Sequence, residues 1–253
     1  RMSSTTLQAA ARALLRAGKV IALTGAGASV ESGIPDFRSE GGLWTKYPPE
    51  EYATIYAFRA DPDKVWGLWY DIGRMLVDVA PNAGHFALAE LETLVSFDAV
   101  ITQNIDNLHQ EAGSTKVIEY HGNAERFVCT RCKKRTPLVV ENLSPERCPR
   151  CDCDAEAVLK PDVVLFGENI PGRALMDGEV LARAADVVVV VGTSAQVFPA
   201  AGIPYTAKEH GAYVIEANTE PTEFTSTITD AFIQGPCGET LPRLVKEVRA
   251  QRG

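Results

Sequence analysis

The run at residues 19–24, KVIALT, is apolar after its first residue and stops at Gly25-Ala26-Gly27. A short apolar run without polar alternation fits a strand covered on both faces, and such strands belong to parallel sheets. Comparable runs recur at 99–102, 117–119, 187–191 and 213–216, with a weaker one at 231–234. Helical patterns lie between several of them, at 83–94, 107–112, 172–184 and 200–210, and residues 7–17 form an amphipathic stretch in front, stopped by Gly18. Alternating strands and helices predict an α/β fold: a doubly wound parallel sheet with helices on both faces.

Two segments interrupt the alternation. Residues 39–80 are rich in aromatics and prolines and read as short helices, while 125–160 carry most of the cysteines and little periodicity. Both read as insertions that pack together as a small lobe. The expected organisation is a Rossmann-like lobe from 1–38, 81–124 and 161–253, with 39–80 and 125–160 building a helical and zinc-binding second lobe.

Five of the six cysteines fall between Cys129 and Cys153. Clustering of this kind points to a metal rather than to a disulfide framework. Cys129-x2-Cys132 and Cys148-x2-Cys151 have the spacing of a four-thiolate zinc site, with Cys153 as an alternative to Cys151. Four thiolates leave no open position for water, so the expected role of the zinc is structural. Cys237 stands apart and reads as a small buried residue.

A net charge of −8 argues against a nucleic-acid partner, which usually meets a basic face. No apolar run is long enough to span a bilayer, and the N-terminal stretch lacks the apolar segment of a signal peptide. The expected setting is the cytoplasm.

A strand followed by Gly25-Ala26-Gly27 and a helix would aim main-chain N–H groups at a pyrophosphate. The dehydrogenase pattern G-x-G-x-x-G fails, because Val30 holds its last position. The loop continues instead through Gly33 into Pro35-Asp36-Phe37-Arg38: an acid, an aromatic shield and a cation, suited to a reacting centre. Gln103, Asn104 and Asp106 follow a second apolar run, and strand C-termini line the ligand crevice of such sheets. An amide and a carboxylate there could hold a carboxamide, or Asn104 and Asp106 could cap the next helix. His121 has the same placement after 117–119 and can take a proton near neutral pH. His85, His109 and His210 fall within or beside helical patterns and read as structural or surface residues.

Together, GAGAS with GIPDFR, TQNID, HGN, the cysteine pairs, KPDVVLFGE at 160–168 and GTS at 192–194 resemble the sirtuins, the NAD-dependent protein deacylases, in family order from about residue 19 to 240. The resemblance implies a Rossmann-like lobe with a zinc-bearing small lobe. It implies that NAD is consumed: nicotinamide leaves the ribose, and the acyl group of a modified lysine passes to ADP-ribose. His121 would be the general base, with Asn104 holding an ordered water at the same centre. Gly25, Ala26, Gly27, Asp36, Phe37, Arg38, Gln103, Ile105, Asp106, Gly192, Thr193, Ser194, Asn218 and the main chain at Cys237 would hold the cofactor. The peptide would lie between Val164, Phe166, Gly167 and Glu168 on one side and Gln196, Val197 and Phe198 on the other. Family members that remove succinyl groups carry a Tyr-x-x-Arg pair where this chain has Trp69 and Ile72. Tyr70 and Arg74 are nearby but spaced by four. An apolar acyl pocket follows, favouring acetyl and longer acyl groups over succinyl.

The expected partners are proteins bearing acetyl-lysine, with neither nucleic acid nor membrane, and the oligomeric state is left open. The competing readings are an NAD glycohydrolase or mono-ADP-ribosyltransferase, a desuccinylase or demalonylase, a nucleotide-sensing zinc module without catalysis, and a dehydrogenase.

Overall fold

The computed structural model describes residues 4–35 and 43–253. Its strands run β1 (Val20–Thr24), β2 (Phe97–Thr102), β3 (Val117–Glu119), β4 (Gly122–Cys129) and β5 (Arg135–Pro137). After these come β6 (Leu159–Val163), β7 (Val187–Val191), β8 (Tyr213–Asn218) and β9 (Ala231–Gln234). The helices begin with α1 (Ser4–Arg16), α2 (Leu43–Lys46), α3 (Pro49–Tyr52), α4 (Ile55–Ala60), α5 (Pro62–Leu76) and α6 (Ala83–Leu94). They continue with α7 (Leu108–Glu111), α8 (Gly172–Ala184), α9 (Gly202–Glu209), α10 (Glu223–Thr227) and α11 (Cys237–Arg252).

The main sheet has the order β3-β2-β1-β7-β8-β9, and every neighbouring pair is parallel. All five residues of β1 and of β7 are buried, as their unbroken apolar sequences require. Leu7, Leu14, Leu88, Leu91, Leu244 and Val248 from α1, α6 and α11 cover one face of the sheet. Ala182, Ile203 and Ala207 from α8 and α9 cover the other, with Tyr120 and Phe224. The expected doubly wound sheet is present. Strand order reverses between β1 and β7, so the crevice at their C-terminal ends is where this topology leaves room for a ligand.

The sequence reading names no element at 237–252, where α11 lies. Pro242 interrupts the helical pattern and charged residues dominate it. A buried stripe of Cys237, Leu241, Leu244, Val245 and Val248 nevertheless seats it against the sheet, and tertiary packing outweighs propensity.

The two insertions build one core. A three-stranded antiparallel sheet, order β5-β4-β6, packs on α5. Trp66 is fully buried there, its ring 5.6 Å from that of Phe127. Among the described residues no helix is long and apolar enough to cross a membrane.

Candidate active site

The glycine loop is stitched to the end of β7. Gly25 N–H donates to Val191 O at 3.0 Å and Gly27 N–H to Gly192 O at 2.8 Å. A Cβ on Gly27 would fall 2.7 Å from Gly192 Cα, and one on Gly192 only 2.4 Å from Ala28 N. Gly192 also has φ 58°, so close approach and backbone conformation both demand glycine here. The helix expected after Gly27 is absent: two 3-10 turns, Ala26–Ala28 and Val30–Ser32, carry the chain instead. Gly33, with φ 90°, ends the second turn.

Side chains from the segment after β2 and from the start of α6 hold this loop. Asn104 Nδ2 donates to Gly25 O at 2.9 Å and to Ser29 Oγ at 3.1 Å. Ser29 Oγ donates to Asp106 Oδ2 at 2.6 Å, while Asp106 Oδ1 accepts from Leu108 N–H at 3.0 Å. The N-cap of α7 is Asn107, without a side-chain cap bond, so Asp106 braces the turn into α7 through one carboxylate oxygen and the glycine loop through the other. Asn82 caps α6 and donates through Nδ2 to Ala28 O. His85 and His109 lie beneath Ser29 and Thr24, both buried, with ring centroids 4.8 Å apart. Burial drives both imidazoles toward the neutral form, His109 down to about 3.

Gln103 joins the two halves of the crevice. Its Nε2 donates to Thr193 Oγ1 at 3.0 Å, and Asn218 Nδ2 donates to Thr193 O at 3.0 Å. Its main-chain oxygen lies 3.1 Å from His121 Nδ1. A carbonyl only accepts, so that nitrogen carries the proton and Nε2 is left as the basic position. Burial lowers the pKa of His121, against a smaller raising effect of the Gln103 bond. The residue is therefore neutral at pH 7.

One cleft of about 1250 Å3 gathers Gly25, Ala26, Gly27, Gln103, Asn104, Ile105, Asp106, His121, Gly192, Thr193, Ser194, Asn218 and Cys237. Val164, Phe166, Gly167, Glu168, Gln196, Val197, Phe198, Trp69 and Ile72 line the same cleft. Asp36, Phe37 and Arg38 lie outside the described residues. The sequence reading passed over Ser29, Glu31, Met75 and Leu76, which also line it. Ser29 directly follows the GAGA run, and that adjacency was the available signal. Glu31 Oε2 accepts from Gly238 N–H at 2.7 Å, tying the loop to the start of α11. Burial pushes the Cys237 thiol up to about 12, so it is an inert wall residue.

Trp69, Ile72, Met75 and Leu76 make the cleft wall on α5 apolar, and no described lysine or arginine lines the cleft. Arg74 is exposed on the helix. In the 164–168 segment, Phe166 spends both main-chain groups on the α3–α4 junction: its N–H donates to Ala53 O, and its oxygen accepts from Ile55 N–H. Val164 N–H donates to His121 O at 2.8 Å, which ties this edge to the histidine's own backbone. Lys160 Nζ clips the segment from within. It donates to Pro161 O and Val163 O and lies 3.0 Å from Glu168 Oε2, which accepts from Leu165 N–H.

The cysteines require a correction. Sγ atoms of Cys129, Cys132, Cys151 and Cys153 all lie within 4.8 Å of one another. Cys129–Cys153 is 3.6 Å and Cys132–Cys151 is 3.8 Å. Tetrahedral Zn–S bonds set sulfurs about 3.8 Å apart, so the donor set fits zinc. Cys148, expected as a ligand, is instead fully buried in the small-lobe core, its Sγ 3.5 Å from Leu159 O. Its N–H donates to Asp63 Oδ1 at the start of α5, which turns the residue inward. Burial pushes its thiol up to about 12. Cys153 takes its place.

A family model described as the Sir2 family matches residues 25–199. The chain belongs to the Sir2 family. Its sequence is 49% identical over 243 residues to an NAD-dependent protein deacylase of Pyrococcus furiosus, covering 93% of this chain and 95% of that one. An NAD-dependent protein deacylase of Thermococcus kodakarensis is 48% identical, covering 96% and 97%. Among solved Sir2 structures, a Sir2 homolog–NAD complex superposes with TM-score 0.90 at 39% identity, covering 100% of this chain and 96% of that one. Sir2Af2 bound to a myristoylated histone peptide gives TM-score 0.80 at 37% identity, with 99% of each chain covered.

Proposed function

We propose that this Sir2-family chain is an NAD-dependent protein-lysine deacylase that removes acetyl and longer apolar acyl groups and transfers them to ADP-ribose. The observation that carries the reading is His121. It is half-buried, with its proton directed to Gln103 O and its other nitrogen available in the cleft that the glycine loop and the two peptide edges share. NAD bound there supplies an electrophilic sugar carbon and a nicotinamide leaving group. The glycine loop presents main-chain N–H groups to the pyrophosphate, and Asn218, Thr193 and Ser194 face the adenosine half. Asn104 and Asp106 orient the carboxamide end. His121 Nε2 takes the proton of a ribose hydroxyl so that this oxygen can receive the acyl group. Phe37 would shield the reacting centre from water.

The exposed aromatics Phe166 and Phe198 both line the cleft and suit the aliphatic stem of a lysine held by strand addition. The apolar α5 wall accepts an alkyl chain, and a succinyl carboxylate would meet no cation among its described residues. Zinc in the four-cysteine cluster would tie the small lobe together without entering the chemistry. Because the ligands must be thiolates, we place the enzyme in the reducing cytoplasm. Proteins or peptides bearing acylated lysine are the partners.

Mass spectrometry of the products from NAD and an acetyl-lysine peptide tests the reading. Nicotinamide with acetyl-ADP-ribose is the expected outcome. ADP-ribose without peptide turnover would make the chain a glycohydrolase instead.

A further inference from the structure

A second groove, about 870 Å3, shares Val163, Val164 and Glu168 with the cleft, so that segment is the wall between them. The groove is lined by charge of both signs, but the signs do not cancel. Asp162 is answered by Arg126 at 3.1 Å and Arg135 at 2.7 Å, Glu168 by Lys160 at 3.0 Å, and Glu156 by Arg131 at 3.4 Å. Arg150 is committed to Asp63. Arg59 and Arg147 also line the groove, both exposed, and neither has a carboxylate partner among the described residues. Lys133 lines it too, but its Nζ donates to Thr130 O and it adjoins Cys132, whose zinc tetrathiolate would be anionic. Two cations without a carboxylate partner in one concavity, Arg59 and Arg147, stand out on a chain of net charge −8. Concave walls concentrate such a field.

The groove is also keyed to the peptide edge. Ile55 N–H donates to Phe166 O and Phe166 N–H to Ala53 O, which locks α4 in register with the segment that lines the cleft. Arg59 lies in the last turn of that helix. We propose that this groove is a subsite for acidic residues flanking the acylated lysine, so that the enzyme selects acyl-lysines in acidic sequence. The proposal rests on the deacylase reading. A polypeptide fits better than a polynucleotide: one or two carboxylates need only the groove, and the chain as a whole carries a net charge of −8.

The experiment compares acetyl-lysine peptides identical except for Asp, Asn or Lys at the outer flanking positions. Exposed ion pairs are weak and screened by salt, so the expected preference for Asp over Asn is about three- to tenfold in kcat/KM. It should lie mainly in KM and vanish at high salt. The double variant Arg59→Glu, Arg147→Glu should lose the preference and keep wild-type turnover of the Asn peptide, with an unchanged thermal melt. Equal kcat/KM for the three peptides in the wild type, or a preference that survives the double variant, overturns the subsite. Inhibition by a single-stranded oligonucleotide that the double variant escapes, without any flank preference, also overturns it and assigns the groove to nucleic acid. Failure to turn over any peptide strikes the deacylase reading itself.

Discussion

At His121, one hydrogen bond decides the tautomer. The Gln103 carbonyl fixes the proton on Nδ1, and partial burial lowers the ring's pKa, so in the proposed reaction Nε2 would be the proton acceptor at neutral pH. Activity that needs the neutral form should be level around neutrality and decline as pH falls through a midpoint below the ordinary histidine value of 6.5. A kcat/KM profile whose acidic limb lies above that value would refute the assignment. His121→Ala should reduce kcat by about 100- to 10,000-fold while NAD binding and the thermal melt stay near wild type. Gly192 is decided by space instead. Gly192→Ala places a Cβ 2.4 Å from Ala28 N in a left-handed conformation. It should cost about 2 kcal/mol or more of stability and weaken NAD binding, as calorimetry would read.

The small-lobe hairpin and the cysteine turn show what an element adds to its residues. Cys148 and Cys151 have the familiar spacing, yet Asp63 and the Trp66–Phe127 core draw Cys148 inward and leave Cys153 to complete the cluster. Wild-type protein should therefore hold about one zinc per chain. Cys153→Ser should lose the metal and melt the small lobe. Cys148→Ala should keep the metal and lose about 1 kcal/mol through packing alone. Metal analysis giving the reverse pattern would restore Cys148 as the ligand. Residues 237–252 illustrate the same point for a helix: the buried stripe of α11 is visible only once α1, α6 and the sheet supply its partner.

For the whole molecule, the two imidazoles sealed beneath the glycine loop couple stability to pH. In the unfolded chain His85 and His109 titrate near 6.5. In the folded chain burial lowers both, and His109 stays neutral down to about 3. Below pH 6.5 the unfolded state therefore binds protons that the native state refuses. Stability falls with falling pH by about 1.4 kcal/mol per unit for each histidine, until its folded pKa is reached. Denaturation at pH 7 and pH 5 should show the loss, and His109→Gln should reduce it. An identical slope in that variant would remove His109 from the account. The parallel sheet, the glycine loop and the clustering of cysteines were legible in the sequence, because an unbroken apolar run, a missing Cβ and close thiol spacing act over a few residues and need no distant partner. The amide and histidine at strand ends could be assigned to one crevice for a similar reason: parallel topology sends strand ends to the same edge. What only the tertiary structure decided was each choice between near-equal local options. Examples are which cysteine turns inward, which imidazole nitrogen is free, and how Asp106 divides its two oxygens. Those depend on burial and on hydrogen-bond partners far away in the chain, and neither exists until the two lobes have packed.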